Sequence, residues 1–203
     1  MRRTREEAEK TRDDILDAAA SLLVDKSFHS ISLEMVARAA GVTRGAIYWH
    51  FKNKGEIYDA LHARLHKSFY ELITGNLAIE QPDSLQQLQD FFTGLLLNIE
   101  SDQKVRNELT IFLLNRDYSG KLAIYREKHE EKKQEIFGLF DIYFERAKAK
   151  GLLTAGLDSR DMALAFTCYL DGIALHYLSN PGKFNMEDRA LPLVHIFFER
   201  LRK

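Results

Sequence analysis

The sequence predicts an all-α protein built from nine helices. Only three prolines occur in 203 residues, and no stretch alternates apolar and polar residues as a half-buried strand would. Apolar residues instead recur at spacings of three and four, which is typical of helices with one buried face. The length allows either one sizeable core or a small domain joined to a larger one.

Helical spacing places three helices in the first fifty residues and six behind them. The predicted ranges are 5–25, 33–40, 43–50, 54–72 or beyond, 83–100, 103–117, 121–150, 158–179 and 187–202. Ser32 and Thr43 are good N-caps for the second and third helices, and Gly41 tolerates the left-handed backbone that ends the second. The pairs Gly75-Asn76 and Pro82-Asp83 mark the first predicted breaks after the fourth helix.

The segment Ser32–Phe51, SLEMVARAAGVTRGAIYWHF, carries the most information. Two short helices at a steep angle need a small residue where they approach, a tight turn, and an apolar residue facing back. Ala37, Gly41 and Ile47 supply these at spacings of four and six. This is the pattern of a helix-turn-helix, whose second helix lies in the DNA major groove. Similar hairpins occur in proteins that never touch DNA.

The outward positions of that second helix suit a DNA reader. Arg44 can donate a bidentate pair to guanine O6 and N7, and the Ala46 methyl can meet a thymine methyl. Gly45 would let the backbone approach closely. Phosphate oxygens could be bound by Thr43, Tyr48, His50 and, at the free N–H groups that open helix four, Lys54. The aromatic residues there could also be plain core, and we expect this of Phe51 and of part of Trp49.

Residues 40–54, AGVTRGAIYWHFKNK, resemble the signature of the TetR family of one-component regulators. The earlier stretch RRTREEAEKTRDDILDAA is similar to the AcrR-like branch, the repressors of multidrug efflux pumps. The resemblance is specific over about residues 8–60. It implies a nine-helix TetR-like homodimer with a DNA-binding domain over 1–53 and a ligand-binding and dimerisation domain over 54–203. The positions that match DNA contacts of the family are Arg44, Gly45, Ala46, Tyr48, His50 and Lys54, with Ser32 and Thr43 matching frequent phosphate contacts.

The eighth helix is apolar nearly all round, which requires burial on every side. A core on one side and a second subunit on the other would satisfy it. The ninth helix adds an apolar stripe, so we expect a homodimer through the last two helices. Pro192 leaves two alternatives: a ninth helix from Glu187 that the proline interrupts, or a start near Leu191. Cys168, the only cysteine, is expected to be buried and inert.

Aromatic residues beside small or polar ones could line an apolar cavity on the inner helices. The resemblance implies such a cavity for a small hydrophobic effector, although most of these rings would serve equally well as core. Asp171 could instead cap a neighbouring helix, and Asn107 could lie outside. The candidate ligand-binding residues are Phe91, Phe92, Asn107, Thr110, Phe112, Phe137, Phe140, Phe166, Thr167 and Asp171.

Catalytic and cofactor motifs are missing from the sequence. No two glycines lie two residues apart, and neither a G-x-S-x-G elbow nor a phosphate-binding P-loop occurs. A single cysteine cannot build a thiolate metal cluster. We therefore expect no enzyme, no cofactor and no metal site. A polar start and the lack of a long apolar run predict a cytoplasmic protein without a membrane partner.

These patterns predict a ligand-responsive repressor that binds double-stranded operator DNA and is released by a hydrophobic compound. Its predicted target is a multidrug efflux pump operon. One alternative is a TetR-type regulator that senses a single metabolite and controls a metabolic operon. Another is a helical ligand-binding module that does not bind DNA.

Overall fold

The computed structural model describes residues 5–79, 81–114, 120–180 and 182–202. Within these ranges the chain forms nine α-helices and no β-strand, apart from one isolated antiparallel bridge between Leu153 and Arg202. The predicted fold class is therefore confirmed. The helices are α1 Arg5–Asp25, α2 Leu33–Ala39, α3 Arg44–His50, α4 Lys54–Ala78, α5 Ser84–Ser101, α6 Gln103–Leu109, α7 Arg126–Ala149, α8 Ser159–Ser179 and α9 Met186–Phe198.

The described residues divide into two compact units. The first unit takes its residues from Met1–Leu65 and Asn107–Glu127, and the second from His66–Arg106 and Lys128–Lys203. Helix α4 contributes its first twelve residues to the first unit and the remainder to the second. The predicted domain division after residue 53 stays a prediction.

The core of the first unit forms around α1, which buries Ile15, Leu16 and Ala19 completely. These positions follow a spacing of three and four, so they lie along one face of the helix. Helices α2 and α3 bury their own apolar faces in the same cluster, and so does the segment after α6. Burial of several large aliphatic side chains, at about 1.5–3 kcal/mol each, stabilises these two short helices.

A group of charged side chains joins three helices of the first unit. The Arg64 guanidinium on α4 pairs with Asp17 of α1 at 3.0 Å and also with Glu108 of α6. Arg64 Nε donates a further hydrogen bond to Glu108 Oε1 at 2.6 Å. Only 7% of the Glu108 side chain is exposed. We call this group the Arg64 network.

The predicted break at Gly75-Asn76 was wrong, because α4 continues to Ala78. Side chains of the second unit explain the continuation. Gln87 Nε2 donates to the carbonyls of Asn76 and Ile79, and Arg146 Nη1 donates to the Leu77 carbonyl at 2.7 Å. These donors satisfy carbonyls that the end of a helix would otherwise leave unpaired.

The helices predicted over 103–117 and 121–150 are shorter than expected. Helix α6 ends at Leu109, and a π-helical turn over Thr110–Leu114 follows it. The last part of the first prediction, residues 115–117, lies outside the described residues. Gly120 then adopts a positive φ of 52° at the start of a 3₁₀ helix, Gly120–Tyr125, that precedes α7. Apolar periodicity does not distinguish these tighter and wider turns from an α-helix.

The ninth helix has the early start of the first alternative, since α9 begins at Met186. The predicted interruption at Pro192 was wrong, because α9 runs through this residue to Phe198. The Asn185 side chain caps its start by accepting a hydrogen bond from the Glu187 N–H at 2.7 Å. This cap explains a start that the proline alone does not predict. Helix α5 packs along α9 and contacts α8, which closes the core of the second unit.

Candidate DNA-binding site

A glycine-centred turn joins α2 to α3. Gly41 has a φ of 64°, the left-handed conformation that glycine adopts without a steric cost. The Val42 N–H donates to the Ala37 carbonyl at 2.9 Å, and the Gly41 N–H donates to the Arg38 carbonyl at 3.2 Å. This pair of bonds is a Schellman motif, which ends α2 and turns the chain into α3. The predicted role of Gly41 is thus confirmed.

The predicted N-caps both hold. Ser32 Oγ accepts from the Met35 N–H at 3.2 Å, and Thr43 Oγ1 accepts from the Ala46 N–H at 3.1 Å. Such caps typically contribute about 1 kcal/mol to helix stability. Both hydroxyls lie at helix starts, where N–H groups also favour an anion such as a phosphate.

Helix α3 has one buried and one exposed face. Ile47 is fully buried and Phe51, which follows the helix, is 2% exposed. On the other face the Arg44 side chain is 74% exposed, Tyr48 is 43% exposed and Trp49 is 73% exposed. A helix with these two faces can pack against its own unit and present side chains to a DNA groove.

Two of the exposed side chains meet one carboxylate of α2. Arg44 Nη2 lies 3.5 Å from Glu34 Oε1, and the Tyr48 hydroxyl donates to the same oxygen at 3.2 Å. The Arg44 guanidinium also lies over the Tyr48 ring, 5.6 Å from its centre. The pKa of Glu34 lies below its usual value, because its own backbone N–H and then the Tyr48 hydroxyl and Arg44 guanidinium favour the charged form.

The remaining predicted contacts on α3 differ in exposure. Gly45 is exposed, and a Cβ placed on it would meet nothing closer than Thr43 Oγ1 at 3.9 Å. Ala46 and His50 are half-buried, and the His50 ring meets the Trp49 ring edge-on at 4.5 Å. Packing within the chain therefore does not require a glycine at position 45.

Lys54 begins α4, and its ammonium points into the first unit. Its Nζ donates to the carbonyls of Phe28, His29 and Ile31 at 2.7, 3.2 and 3.0 Å. It also lies 4.6 Å from the centre of the Phe28 ring. An ammonium has three N–H donors, and these carbonyls occupy all three. Lys54 thus fastens the start of α4 to the segment between α1 and α2.

On the exposed face of α3, the sequence prediction for Trp49 was wrong, since we expected part of this side chain in the core. Its position carries the correct signal, because a residue two places after the buried Ile47 points to the opposite side of a helix. The sequence analysis also did not include Glu34 of α2, whose carboxylate contacts the exposed side chains of α3. Nothing in the local sequence indicates that it contacts residues ten and fourteen places further on.

The predicted ligand-binding residues fall into two groups. Asn107, Thr110 and Phe112 belong to the first unit, where the Phe112 ring packs against Tyr58 at 5.3 Å and His62 at 4.8 Å. The other seven belong to the second unit.

In the second unit, Phe166 is fully buried and packs edge-on against Phe92 at 4.9 Å and Phe140 at 4.8 Å. Phe91 is also buried, and its ring lies 6.3 Å from that of Phe140. The structure brings these four predicted rings together as a closed aromatic core. Of the other three, Phe137 is half-buried, Thr167 donates its hydroxyl to the Ala163 carbonyl at 2.8 Å, and Asp171 is exposed.

An open groove of about 400 Å³ lies between α8 and α9 on the second unit. None of the predicted ligand-binding residues lines it. Its lining residues are Cys168, Tyr169, Gly172, Ile173, His176, Phe184, Arg189 and Leu193. Cys168 is exposed, so its predicted burial was wrong. It lies on the face of α8 that does not enter the core of its own unit.

No described helix is both long and apolar enough to cross a membrane. No set of three or more His, Cys, Asp or Glu side chains in the part of the chain that the structure describes is placed to hold a metal ion.

Two parts of the chain match models of known protein families. Residues 15–61 match the model of the bacterial regulatory proteins of the tetR family, and residues 83–203 match the C-terminal region of the MAATS-type transcriptional repressors. The chain is 28% identical over 198 residues to the HTH-type transcriptional regulator AcrR of Shigella flexneri, covering 98% of this chain and 92% of that protein. It is 27% identical to the regulator TtgR of Pseudomonas putida, covering 92% and 89%.

Among solved structures, NalD is similar over nearly its whole length. NalD is the secondary repressor of the MexAB-OprM multidrug efflux pump in Pseudomonas aeruginosa, and it superimposes with a TM-score of 0.80 at 29% identity. The match covers 98% of this chain and 99% of NalD. The chain belongs to the tetR family of bacterial regulatory proteins and carries the C-terminal region of a MAATS-type transcriptional repressor.

Proposed function

We propose that the protein represses a multidrug efflux pump operon and leaves its operator when a hydrophobic compound binds the second unit. The observation that carries the DNA-binding part is the exposed face of α3, with Arg44, Tyr48 and Trp49 outward and Ile47 fully buried. The likeness to NalD, a repressor of a multidrug efflux pump, supports the choice of operon.

On operator DNA the residues of α2, α3 and their N-caps divide between base contacts and phosphate contacts. Arg44 donates to a guanine edge, and the Ala46 methyl meets a thymine methyl. Gly45 allows the α3 backbone to approach the DNA. Phosphate oxygens are contacted by Ser32, Thr43, Tyr48, His50 and, added from the structure, Trp49 through its indole N–H.

A homodimer through α8 and α9 would bring two copies of α3 to neighbouring half-sites. Four large apolar side chains on these helices are 42–67% exposed in the single chain: Leu164, Leu175, Leu191 and Ile196. Exposed apolar residues at helical spacing beside an apolar groove are typical of a surface that a second subunit covers. Light scattering should return twice the chain mass.

Release requires that the effector bind more tightly to the conformation that does not fit the operator. Helix α4 has residues in both units, so it can carry a change in the second unit to the first. The aromatic residues of the second unit, with Phe137 half-buried among them, would then rearrange to admit the effector.

Fluorescence anisotropy with labelled DNA from upstream of the protein's own gene tests this function. We expect tight binding that survives unrelated competitor DNA, weakens with salt, and is reversed by several unrelated dyes or antibiotics. Arg44→Ala should cost about 1–3 kcal/mol on the preferred site. Release by one metabolite alone would point to a metabolic operon. Binding no tighter than to random DNA at this and at library-selected sites would contradict the proposal.

Gly45→Ala separates stability from DNA binding. We expect the variant to gain about 0.4–1 kcal/mol in the free energy of unfolding, because α3 has room for a methyl group and the unfolded chain loses freedom. The same methyl should weaken operator binding by roughly tenfold, about 1.4 kcal/mol. Gly75→Ala on α4, also with open space around it, is the matched control. It should gain stability and leave DNA binding unchanged.

Lys54→Met decides between the phosphate contact predicted for Lys54 and a structural role, which the three hydrogen bonds of its ammonium favour. We expect a loss of about 2–3 kcal/mol in unfolding free energy, because three backbone carbonyls lose a charged donor. The slope of log affinity against log salt should stay the same. A slope smaller by about one would show that Lys54 contacts a phosphate. Lys52→Met, at an exposed neighbouring position, is the control for stability.

A further inference from the structure

We propose that Glu34 is a specificity-determining residue that holds Arg44 and Tyr48 in place and weakens binding to DNA of the wrong sequence. The inference rests on the proposed DNA-binding function of α3. Its basis is one carboxylate oxygen of Glu34 that lies 3.5 Å from Arg44 and 3.2 Å from Tyr48, two of the side chains that we propose contact DNA.

The position of Glu34 makes its negative charge part of the DNA-facing surface. Glu34 lies in the first turn of α2, just after the N-cap Ser32, and its side chain is 47% exposed. Arg44 and Tyr48 lie one turn apart on the exposed face of α3. Their shared contact with Glu34 therefore crosses the gap between the two helices that would meet the DNA.

A carboxylate at this place reduces the attraction of any phosphate. Sequence-independent affinity comes from cations that replace the counterions of the phosphate backbone. The nearby Glu34 charge offsets that of Arg44, so the pair contributes little to the sequence-independent affinity. The carboxylate also repels a phosphate of any duplex, and only on the correct sequence do base contacts of Arg44 offset this repulsion.

The same contact leaves Arg44 able to read a base. A guanidinium has five N–H donors, and the ion pair with Glu34 involves its Nη2 end. A guanine edge needs two donors. Because the contact with Glu34 and the stacking on Tyr48 fix the side chain beforehand, less rotamer freedom is lost on the correct site. Glu34 therefore acts through Arg44, as a positioning residue.

Glu34→Gln tests the proposal, since it keeps the side-chain length and one acceptor oxygen and removes the negative charge. We expect affinity for random duplex DNA to rise about three- to tenfold and the salt slope to steepen by about one. Affinity for the selected operator should change less, so the ratio of specific to random affinity should fall. From a random duplex library, the Glu34→Gln variant should accordingly select a less specific consensus sequence than the unsubstituted protein.

Two further variants make the outcome decisive. Glu130→Gln removes another exposed charge, 58% against 47% for Glu34, from an ion pair on α7 and should leave the specificity ratio unchanged. In an Arg44→Gln background, Glu34→Gln should no longer lower the ratio, because the side chain through which it acts is gone. An unchanged ratio in the single Glu34→Gln variant would overturn the inference. If the unchanged protein selects no sequence at all, the proposed function fails instead.

Discussion

Replacement of Phe166 by alanine is expected to lower the free energy of unfolding by about 3–5 kcal/mol, the usual cost of removing a buried phenyl ring from a core. Phe166 is fully buried, and its ring packs edge-on against Phe92, Phe140 and Phe197 at 4.9, 4.8 and 5.6 Å. Each edge-on contact adds about 0.5–1.5 kcal/mol beyond the buried area. Urea unfolding at equilibrium measures the loss.

Phe137→Ala is the matched control, because it removes the same ring from a half-buried position on α7. Its loss should be clearly smaller. The two variants also separate a core role from a ligand-binding role. If Phe137 contacts the effector, Phe137→Ala should need more effector to release DNA while the protein stays folded. Equal losses of stability in both variants would contradict the closed aromatic core around Phe166.

Arg64→Met is also expected to lower the free energy of unfolding strongly, through the Arg64 network. A broken buried ion pair typically costs about 3–5 kcal/mol, because a charge stays buried without its counter-charge. The Arg64 and Asp17 side chains are 23% and 30% exposed, so solvent screening lowers our expectation to about 2–3 kcal/mol. Thermal and urea unfolding measure the change.

A double variant distinguishes the ion pair from simple packing. Adding Glu108→Gln to Arg64→Met removes the buried charge as well, and it should recover part of the lost stability. Lys67→Met on the same helix provides the control. Its exposed pair with Glu71 lies at 3.7 Å and should contribute less than about 0.5 kcal/mol. If the double variant loses more unfolding free energy than the two single variants together, the charge pairing does not explain the effect.

The helix-turn-helix could be predicted from sequence because its determinants are local. Ser32, Gly41 and Thr43 act on backbone groups within five residues of themselves, so their spacing alone places α2, the turn and α3. The face of α3 was less well predicted. Trp49 was expected partly in the core, although the position of Ile47 implies that it points outward.

The partners of the site residues could not be predicted, because they come from distant parts of the chain. Lys54 meets carbonyls 23 to 26 residues earlier, and Tyr48 meets a carboxylate 14 residues earlier. Contacts from α5 and α7 likewise carry α4 past the glycine that local rules treat as a break. Exposed Cys168 shows the same limit, since its apolar neighbours do not reveal which face of α8 is covered.

The exposed indole of α3 gives the protein an intrinsic optical reporter. Trp49 is the only tryptophan in the chain, so emission excited at the red edge of the absorption band comes from the exposed face of α3 alone, which we propose contacts DNA. Iodide should quench this emission in the free protein and lose access when a duplex covers the helix. Occupancy of the operator can thus be followed without a label on either partner, while the buried phenyl rings stay silent.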